Sequence, residues 1–361
     1  MKTLIIGFTK LKYMPYMNFY LDNIDKEAND IHLLYWNRDC REEDLSKFNT
    51  ITLHEFSYYQ KDEVPKISKL KGFRKYRRFA KNVLRENCYD FIIVLHTLPG
   101  VLIVEELVKR YSGKYILDYR DFTYEGNAPF RKIIHAIVHH ASVTFVSSDA
   151  FRKYLPADAV IYTSHNILTD SLNHRDEKEK RGIPSDKVRI AFWGFIRHED
   201  INRKIIERLA NDNRFELHYY GREQETALHL KKYAQEISAT NVFFHGEYKP
   251  EDRYNFVCNT DMIHNIYSDT NTMLATGNKF YDGILFHLPQ LCMKGSYMGE
   301  RCCAAGIGLE CDPNETGFAN SIFSYYNNMD LKQFADNCNK ETDKVVSELL
   351  LCGVIIRQLI K

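Results

Sequence analysis

The chain has 361 residues, of which 44% are apolar and 13% aromatic, and a formal net charge of +1. That composition excludes a disordered protein and leaves room for two domains with separate cores, while the near-zero charge excludes bulk nucleic-acid binding, which needs a basic excess. Nine cysteines without a Cys-x-x-Cys pair exclude a zinc ribbon and a complete disulfide framework, so reduced thiols in a cytoplasmic protein are expected.

Residues 3–8 are too short an apolar run for a secretory leader and read as a first strand. It ends in Gly7-Phe8-Thr9-Lys10, a turn that could approach phosphate but lacks the Gly-x-Gly-x-x-Gly spacing of a dinucleotide site. Residues 16–29 read as a helix, 31–36 as the next strand and 37–44 as a polar loop. Residues 66–85 hold nine Lys or Arg and no acid, with Phe73, Tyr76, Ala80 and Val83 at helical spacing. The pattern predicts a basic amphipathic helix, either a solvated surface element or a dock for anionic lipid. Phe91–Leu95, residues 115–117 and Val143–Val146 are buried-type strands with little polar interruption. Tyr119-Arg120-Asp121 closes the second of these. Asp121 could orient or deprotonate a hydroxyl, with Arg120 as its ion-pair partner or a further catalytic group. His96, just past the first strand, offers the same service with a pKa near neutrality; a plain structural histidine is the competing reading. The charged run 170–187 around Pro184 is the expected hinge, separating a domain over 1–168 from one over 188–335.

In the second half four short strands each end in a glycine or polar loop followed by a helix-like segment. Val188–Trp193 precedes Gly194-Phe195-Ile196-Arg197-His198, and Phe215–Tyr220 precedes Gly221-Arg222-Glu223. Val242–Phe244 precedes His245-Gly246-Glu247, and residues 262–267 precede Ser268-Asp269. Such alternation builds a parallel sheet, whose ligands bind beyond the carboxyl ends of the strands. Gly194 with Arg197 and Gly221 with Arg222 place a guanidinium beside backbone N–H groups at a helix start, an arrangement suited to phosphate, and Lys279 is a third cation. Glu247 could accept from a base edge or cap the helix near Pro250. Asn278 and Gly277 could shape a loop around a sugar. No Asp-x-Asp motif is present, so neutralisation of a diphosphate by side chains and helix ends, without metal or other cofactor, is expected. The final segment, 336–361, holds an amphipathic run over 343–360 expected to pack back across the domains. Its apolar stretch of eight residues is too short for a membrane span.

The ordered series Phe192-Trp193-Gly194-Phe195-Ile196-Arg197, Tyr219-Tyr220-Gly221-Arg222, Phe244-His245-Gly246-Glu247 through Pro250-Glu251-Asp252, Asn278 through Pro289, and Gly306-Ile307-Gly308 resembles the GT-B glycosyltransferases. The likeness is to the retaining family-four enzymes of bacterial surface polysaccharide assembly. The resemblance implies an α/β fold of two Rossmann-like domains whose parallel sheets face each other across a cleft. It also implies transfer with retention from a nucleotide-sugar donor to a saccharide or lipid-linked acceptor, at the inner face of the plasma membrane. Asp282 takes the place of the acid that holds the donor ribose hydroxyls. The family's companion acid eight residues earlier is replaced by Leu274. A sugar-nucleotide epimerase of the same fold and a non-catalytic nucleotide-binding protein are the alternative readings.

Overall fold

The short apolar runs become the strands of two parallel sheets. The computed structural model describes residues 1–61, 66–180 and 186–361. The chain forms two units, Met1–His165 with Ser347–Lys361, and Asn166–Val346. The boundary therefore falls at residue 165/166; Pro184, the expected hinge, lies outside the described residues.

The first unit holds β1 (Lys2–Ile6), β2 (Asp30–Asn37), β3 (Thr52–Ser57), β4 (Phe91–Leu95), β5 (Tyr115–Tyr119), β6 (Val143–Val146) and β7 (Ile161–Thr163). They run parallel in the order β3-β2-β1-β4-β5-β6-β7. Between them lie α1 (Met17–Asp22), α2 (Lys66–Glu86), α3 (Thr97–Leu102), α4 (Val104–Lys109) and α5 (Ala128–His140). All five residues of β4 and of β5 are buried, Asp118 of β5 among them, as expected of central strands in a sheet covered on both faces. The two strands of this sheet missed in the sequence, β3 and β7, are its edges, where burial alternates or weakens and apolar continuity is not required. α1 is shorter than the helix expected over 16–29. Asn23 turns its amide back to the Phe19 carbonyl and Asp25 accepts from the N–H groups of Glu27 and Ala28, so side chains take the bonds that would have continued the helix.

The second unit holds β8 (Val188–Trp193), β9 (Phe215–Tyr220), β10 (Val242–Phe244), β11 (Met262–Asn265), β12 (Gln290–Met293) and β13 (Gly308–Cys311). These are parallel in the order β10-β9-β8-β11-β12-β13. Its helices are α6 (Glu199–Leu209), α7 (Glu225–Glu236), α8 (Asn278–Leu285), α9 (Tyr297–Ala305), α10 (Phe318–Asn327) and α11 (Leu331–Leu359). Ile201, Ile205, Ile206 and Leu209 of α6 recur at helical spacing and pack on Ile190, Phe192 and Leu217 of the sheet.

α11 starts earlier than the sequence suggested, because Asp330 accepts from the N–H groups of Lys332 and Gln333 and nucleates the first turn. Residues up to Val346 belong to the second unit and those from Ser347 to the first. In the first unit Cys352, Ile356 and Ile360 complete the core around Ile5, Leu33 and Phe145. All nine cysteines are free thiols.

Candidate functional site

In the second unit the chemistry gathers in loops at the carboxyl ends of β8, β9, β10 and β11. Three of these loops are stacked by backbone bonds: the Gly194 N–H donates to the Tyr220 carbonyl and the Gly221 N–H to the Gly246 carbonyl, both at 2.9 Å. A Cβ on Gly221 would lie 1.9 Å from the Gly194 carbonyl oxygen, so glycine there is demanded by one loop packing on the next. Gly194 itself has φ +128°, a conformation open to glycine alone.

Arg197 and His198 end the β8 loop at the start of α6. His198 adopts the left-handed conformation, φ 62° and ψ 62°, which strains a residue with a side chain. What holds it there is Asn202, buried on the first turns of α6. Its amide donates to the carbonyls of Arg197 at 2.7 Å and His198 at 3.1 Å. Its carbonyl oxygen accepts from the Tyr219 hydroxyl at 3.1 Å and from His264 Nε2 at 3.0 Å. His264 Nδ1 in turn accepts from the Ile266 N–H at 3.0 Å. Burial pushes His264 down to about 3, helped by the nearby charges of Lys279 and His198. The ring is therefore neutral, with its proton on Nε2 as Asn202 requires.

Lys279 lies half-buried at the start of α8, its Nζ 4.3 Å from the Phe192 ring centroid and 5.4 Å from that of Tyr267. A Cβ on Gly194 would touch that Nζ at 3.5 Å, which places the ammonium directly under the glycine loop. Burial brings its pKa down to about 8; Asp282 opposes the shift and Arg197 adds to it. Asp282, 5% exposed, sits in the second turn of α8 rather than at its start. Burial raises its pKa, against the pull of Arg253 and Lys279. The nearest cationic atom is Arg253 Nη1 at 3.8 Å. His198 loses basicity by burial, and its Nε2 lies 3.5 Å from Asp269, which is tied to the hydroxyl and N–H of Thr272. The amide of Asn278 bonds that of Asn166, and the Asn166 N–H donates to the Tyr281 hydroxyl at 3.2 Å.

Arg197, Lys279 and Asp282 are thus brought together, with Gly194 above them. Arg222 and Glu247 are not: both are exposed and make no ion pair or side-chain hydrogen bond among the described residues. Gly221 serves loop packing. Arg253, Asn202 and His264 were not found from sequence, since none stands beside a glycine at a strand end. The one available signal was Pro250-Glu251-Asp252, which announces the turn carrying Arg253.

In the first unit His96 and Asp121 meet: His96 Nδ1 is 3.1 Å from Asp121 Oδ2, and its Nε2 faces the Tyr16 hydroxyl. His96 has φ 72° and ψ 162°, a region almost confined to glycine, and such strain concentrates at functional positions. Both residues line a cavity of about 210 Å³ with Phe8, Thr9, Arg38 and Thr123. The expectation for Arg120 needs correction. Its side chain is buried, its Nε donates to Asp118 at 2.7 Å, and its guanidinium lies 4.2 Å from the Tyr16 ring centroid. Strand alternation explains this: residues 118 and 120 point to the same face of β5 and its extension, leaving Asp121 for the other. Lys10 is likewise buried, bonded to Asp39 at 2.6 Å and to the Arg41 carbonyl at 2.9 Å.

No family model and no curated protein matches the sequence. Solved structures do match along the whole chain. Sucrose-phosphate synthase from Thermosynechococcus elongatus is 12% identical with a TM-score of 0.73, covering 99% of this chain and 98% of its own. Anabaena HepE, solved in complex with UDP, is 14% identical with a TM-score of 0.64 over 100% and 98%. WaaG, a glycosyltransferase involved in lipopolysaccharide biosynthesis, is 14% identical with a TM-score of 0.64 over 99% of each chain. The likeness over both units establishes that this chain has the GT-B fold, two Rossmann-like units each built on a parallel sheet.

Proposed function

We propose that the protein is a glycosyltransferase that moves a sugar from a nucleotide-sugar donor to a saccharide or lipid-linked acceptor. The observation that carries this reading is the grouping of Arg197, His198 and Lys279 around the Gly194 loop with Asp282 beside them. Bond breakage leaves a nucleoside diphosphate whose charge grows in the transition state, and preorganised cations there lower the barrier. On this reading Arg197, Lys279 and the N-terminus of α6 supply that charge without a metal ion. Asp282 accepts from the ribose hydroxyls. In the first unit Asp121 is the group that meets the acceptor hydroxyl, because its side chain is 44% exposed whereas His96 is 25% exposed and has Nε2 occupied by Tyr16. His96 keeps its proton on Nδ1 and holds the carboxylate in place. Retention of configuration and a role in surface polysaccharide assembly rest on the motif resemblance.

Membrane docking belongs to the same reading. On α2, Tyr76, Ala80 and Val83 are buried, while Arg74, Lys75, Arg77, Arg78 and Arg85 are exposed. Among the described residues no helix is long and apolar enough to cross a membrane. A basic face of this kind gains roughly 1 kcal/mol per residue near an anionic leaflet, which would hold the enzyme beside a lipid-linked acceptor.

The test is a panel of UDP-, GDP- and ADP-sugars by thermal shift with EDTA present, followed by donor hydrolysis and then transfer. A sugar nucleotide that stabilises the protein and is slowly hydrolysed supports a transferase. Stabilisation without turnover favours a nucleotide-binding protein, and no stabilisation by any member refutes the site.

A further inference from the structure

We infer that the first unit carries a metal site apart from the sugar-transfer chemistry: His32, His54 and Tyr89 bind a divalent transition-metal ion such as Zn²⁺, which pins the edge of the sheet. The three residues lie at the amino ends of the strands, opposite the carboxyl ends that carry His96 and Asp121. His32 is in the first turns of β2, His54 in those of β3, and Tyr89 stands just before β4. In the parallel ladder His54 lies across from Leu34, which shares a face of β2 with His32, so both imidazoles project from one side of the sheet.

Three lone-pair atoms converge there. His32 Nδ1 is 2.8 Å from His54 Nε2 and 3.0 Å from the Tyr89 hydroxyl oxygen, and that oxygen is 3.3 Å from His54 Nε2. Ligand atoms about 2.0–2.1 Å from a tetrahedral zinc ion stand roughly 3.3 Å apart, so the triangle is close to the size an ion requires. The other ring nitrogen of His32 faces a carboxylate, with Nε2 3.2 Å from Asp30 Oδ1 and 3.3 Å from Oδ2. Asp30 keeps the His32 proton on Nε2 and turns the Nδ1 lone pair toward His54 and Tyr89, as a carboxylate behind a metal-binding histidine does. Burial pushes both imidazoles below their usual basicity; Asp30 opposes the shift at His32, while the His32 ring and Lys2 add to it at His54. Protons therefore do not compete for these rings at neutral pH. Lys2 Nζ lies 3.6 Å from Asp30 and 3.2 Å from the Asn87 side-chain oxygen, and Asp30 offsets its charge. Among the described residues no three His, Cys, Asp or Glu are gathered to hold an ion, and here the third ligand is a phenol. Burial keeps that phenol protonated in the free protein; on binding, the ion takes the place of the proton, which leaves to water. His32 and Tyr89 are 5% and 6% exposed and His54 is half-buried, so solvent reaches the triangle from the His54 side. An ion held there ties β3, an edge strand paired only with β2, to the segment that enters β4.

The experiment titrates the metal-stripped full chain with ZnCl2 by calorimetry and thermal shift, with MgCl2 as the control for an oxygen-seeking cation. With free Zn²⁺ a hundredfold above its Kd, the midpoint should rise by roughly 5–10 °C, and Mg²⁺ should leave it in place. His54→Ala, a change on the edge strand, should abolish the shift, and Asp30→Asn should weaken Zn²⁺ about 10–100-fold. Each variant is read against its own metal-free midpoint, so a destabilised variant still reports. Cu²⁺ should give a phenolate charge-transfer band that Tyr89→Phe removes. His218→Ala is the control for metal taken up elsewhere, because His218 Nδ1 and His245 Nε2 also lie 3.0 Å apart. Absence of Zn²⁺ binding overturns the inference, as does binding that survives His54→Ala or is lost only in His218→Ala. Unchanged Zn²⁺ affinity in Tyr89→Phe overturns it too.

Discussion

Asn202 is the residue on which the cationic loop depends. Its side chain makes four bonds: two donors to the Arg197 and His198 carbonyls, and one acceptor shared by Tyr219 and His264. Asn202→Ala strands two buried donors, the Tyr219 hydroxyl and His264 Nε2–H, at a cost of about 1–3 kcal/mol each. The loss is therefore about 2–6 kcal/mol, before counting the two loop carbonyls, which water can reach more easily. In a unit of this size about 1 kcal/mol shifts the midpoint by roughly 2–4 °C, so calorimetry should show a fall on the order of 5–20 °C. The same change frees His198 from its left-handed conformation, so UDP affinity should drop further than stability alone explains. Tyr219→Phe supplies the cycle. In the native background it removes a hydrogen bond and costs about 1 kcal/mol; in the Asn202→Ala background the hydroxyl is already stranded, so deleting it should be neutral or stabilising. Additive costs for the two changes, or an Asn202→Ala protein with unaltered melting and UDP affinity, would refute the hub.

Three other outcomes can be checked. His264 is neutral when folded, with a pKa near 3 against 6.5 when exposed, so the unfolded chain binds the extra proton between those values. Stability should fall as pH drops from about 6.5 toward 3, by at most about 1.4 kcal/mol per pH unit, and His264→Gln should flatten that slope in urea titrations. Lys279 titrates near 8, and an anionic ligand favours its protonated form; UDP affinity should be level below about pH 7.5 and weaken above pH 8, while Lys279→Arg should bind without that loss. On α2, Arg74→Glu with Arg78→Glu should cut sedimentation with phosphatidylserine vesicles at least 10-fold at low salt, leaving neutral vesicles unaffected; unchanged sedimentation would leave α2 as a solvated face.

β4 and β6 are continuously buried and fall where their largely apolar runs placed them, because a strand covered on both sides tolerates little polar interruption. β8, β9 and β10 were placed by short apolar runs that each end in a glycine or polar loop. β3 carries His54 and Glu55 and lies at an edge, so it lacked that signal. At the candidate site, glycine beside arginine marked both Arg197 and Arg222; Arg197 comes to lie near Lys279, and Gly221 packs on the neighbouring Gly194 loop. Asp121 and His96 were legible as strand-end residues. Tyr16, Asn202 and Arg253 were not, because each also meets partners far along the chain: His96, His264 and Asp282 respectively.

The charge balance of the second unit follows from the cation that each of its buried acids faces. Asp282 would cancel Lys279 if the two were alone, and burial of an unpaired carboxylate is costly. Arg253 changes that: it faces Asp282 across 3.8 Å from the side of Ser171 and Tyr254, to which its Nη2 donates. The pair Asp282–Arg253 is close to neutral as a unit, and Asp269 is committed to Thr272 and His198. Arg197 and Lys279 are then left as uncompensated positive charge beneath the Gly194 loop. On the proposed reading these two cations would hold the diphosphate of the donor. That reading predicts that UDP binds nearly as well as the intact sugar nucleotide, and calorimetry showing far tighter binding of the intact donor would refute it.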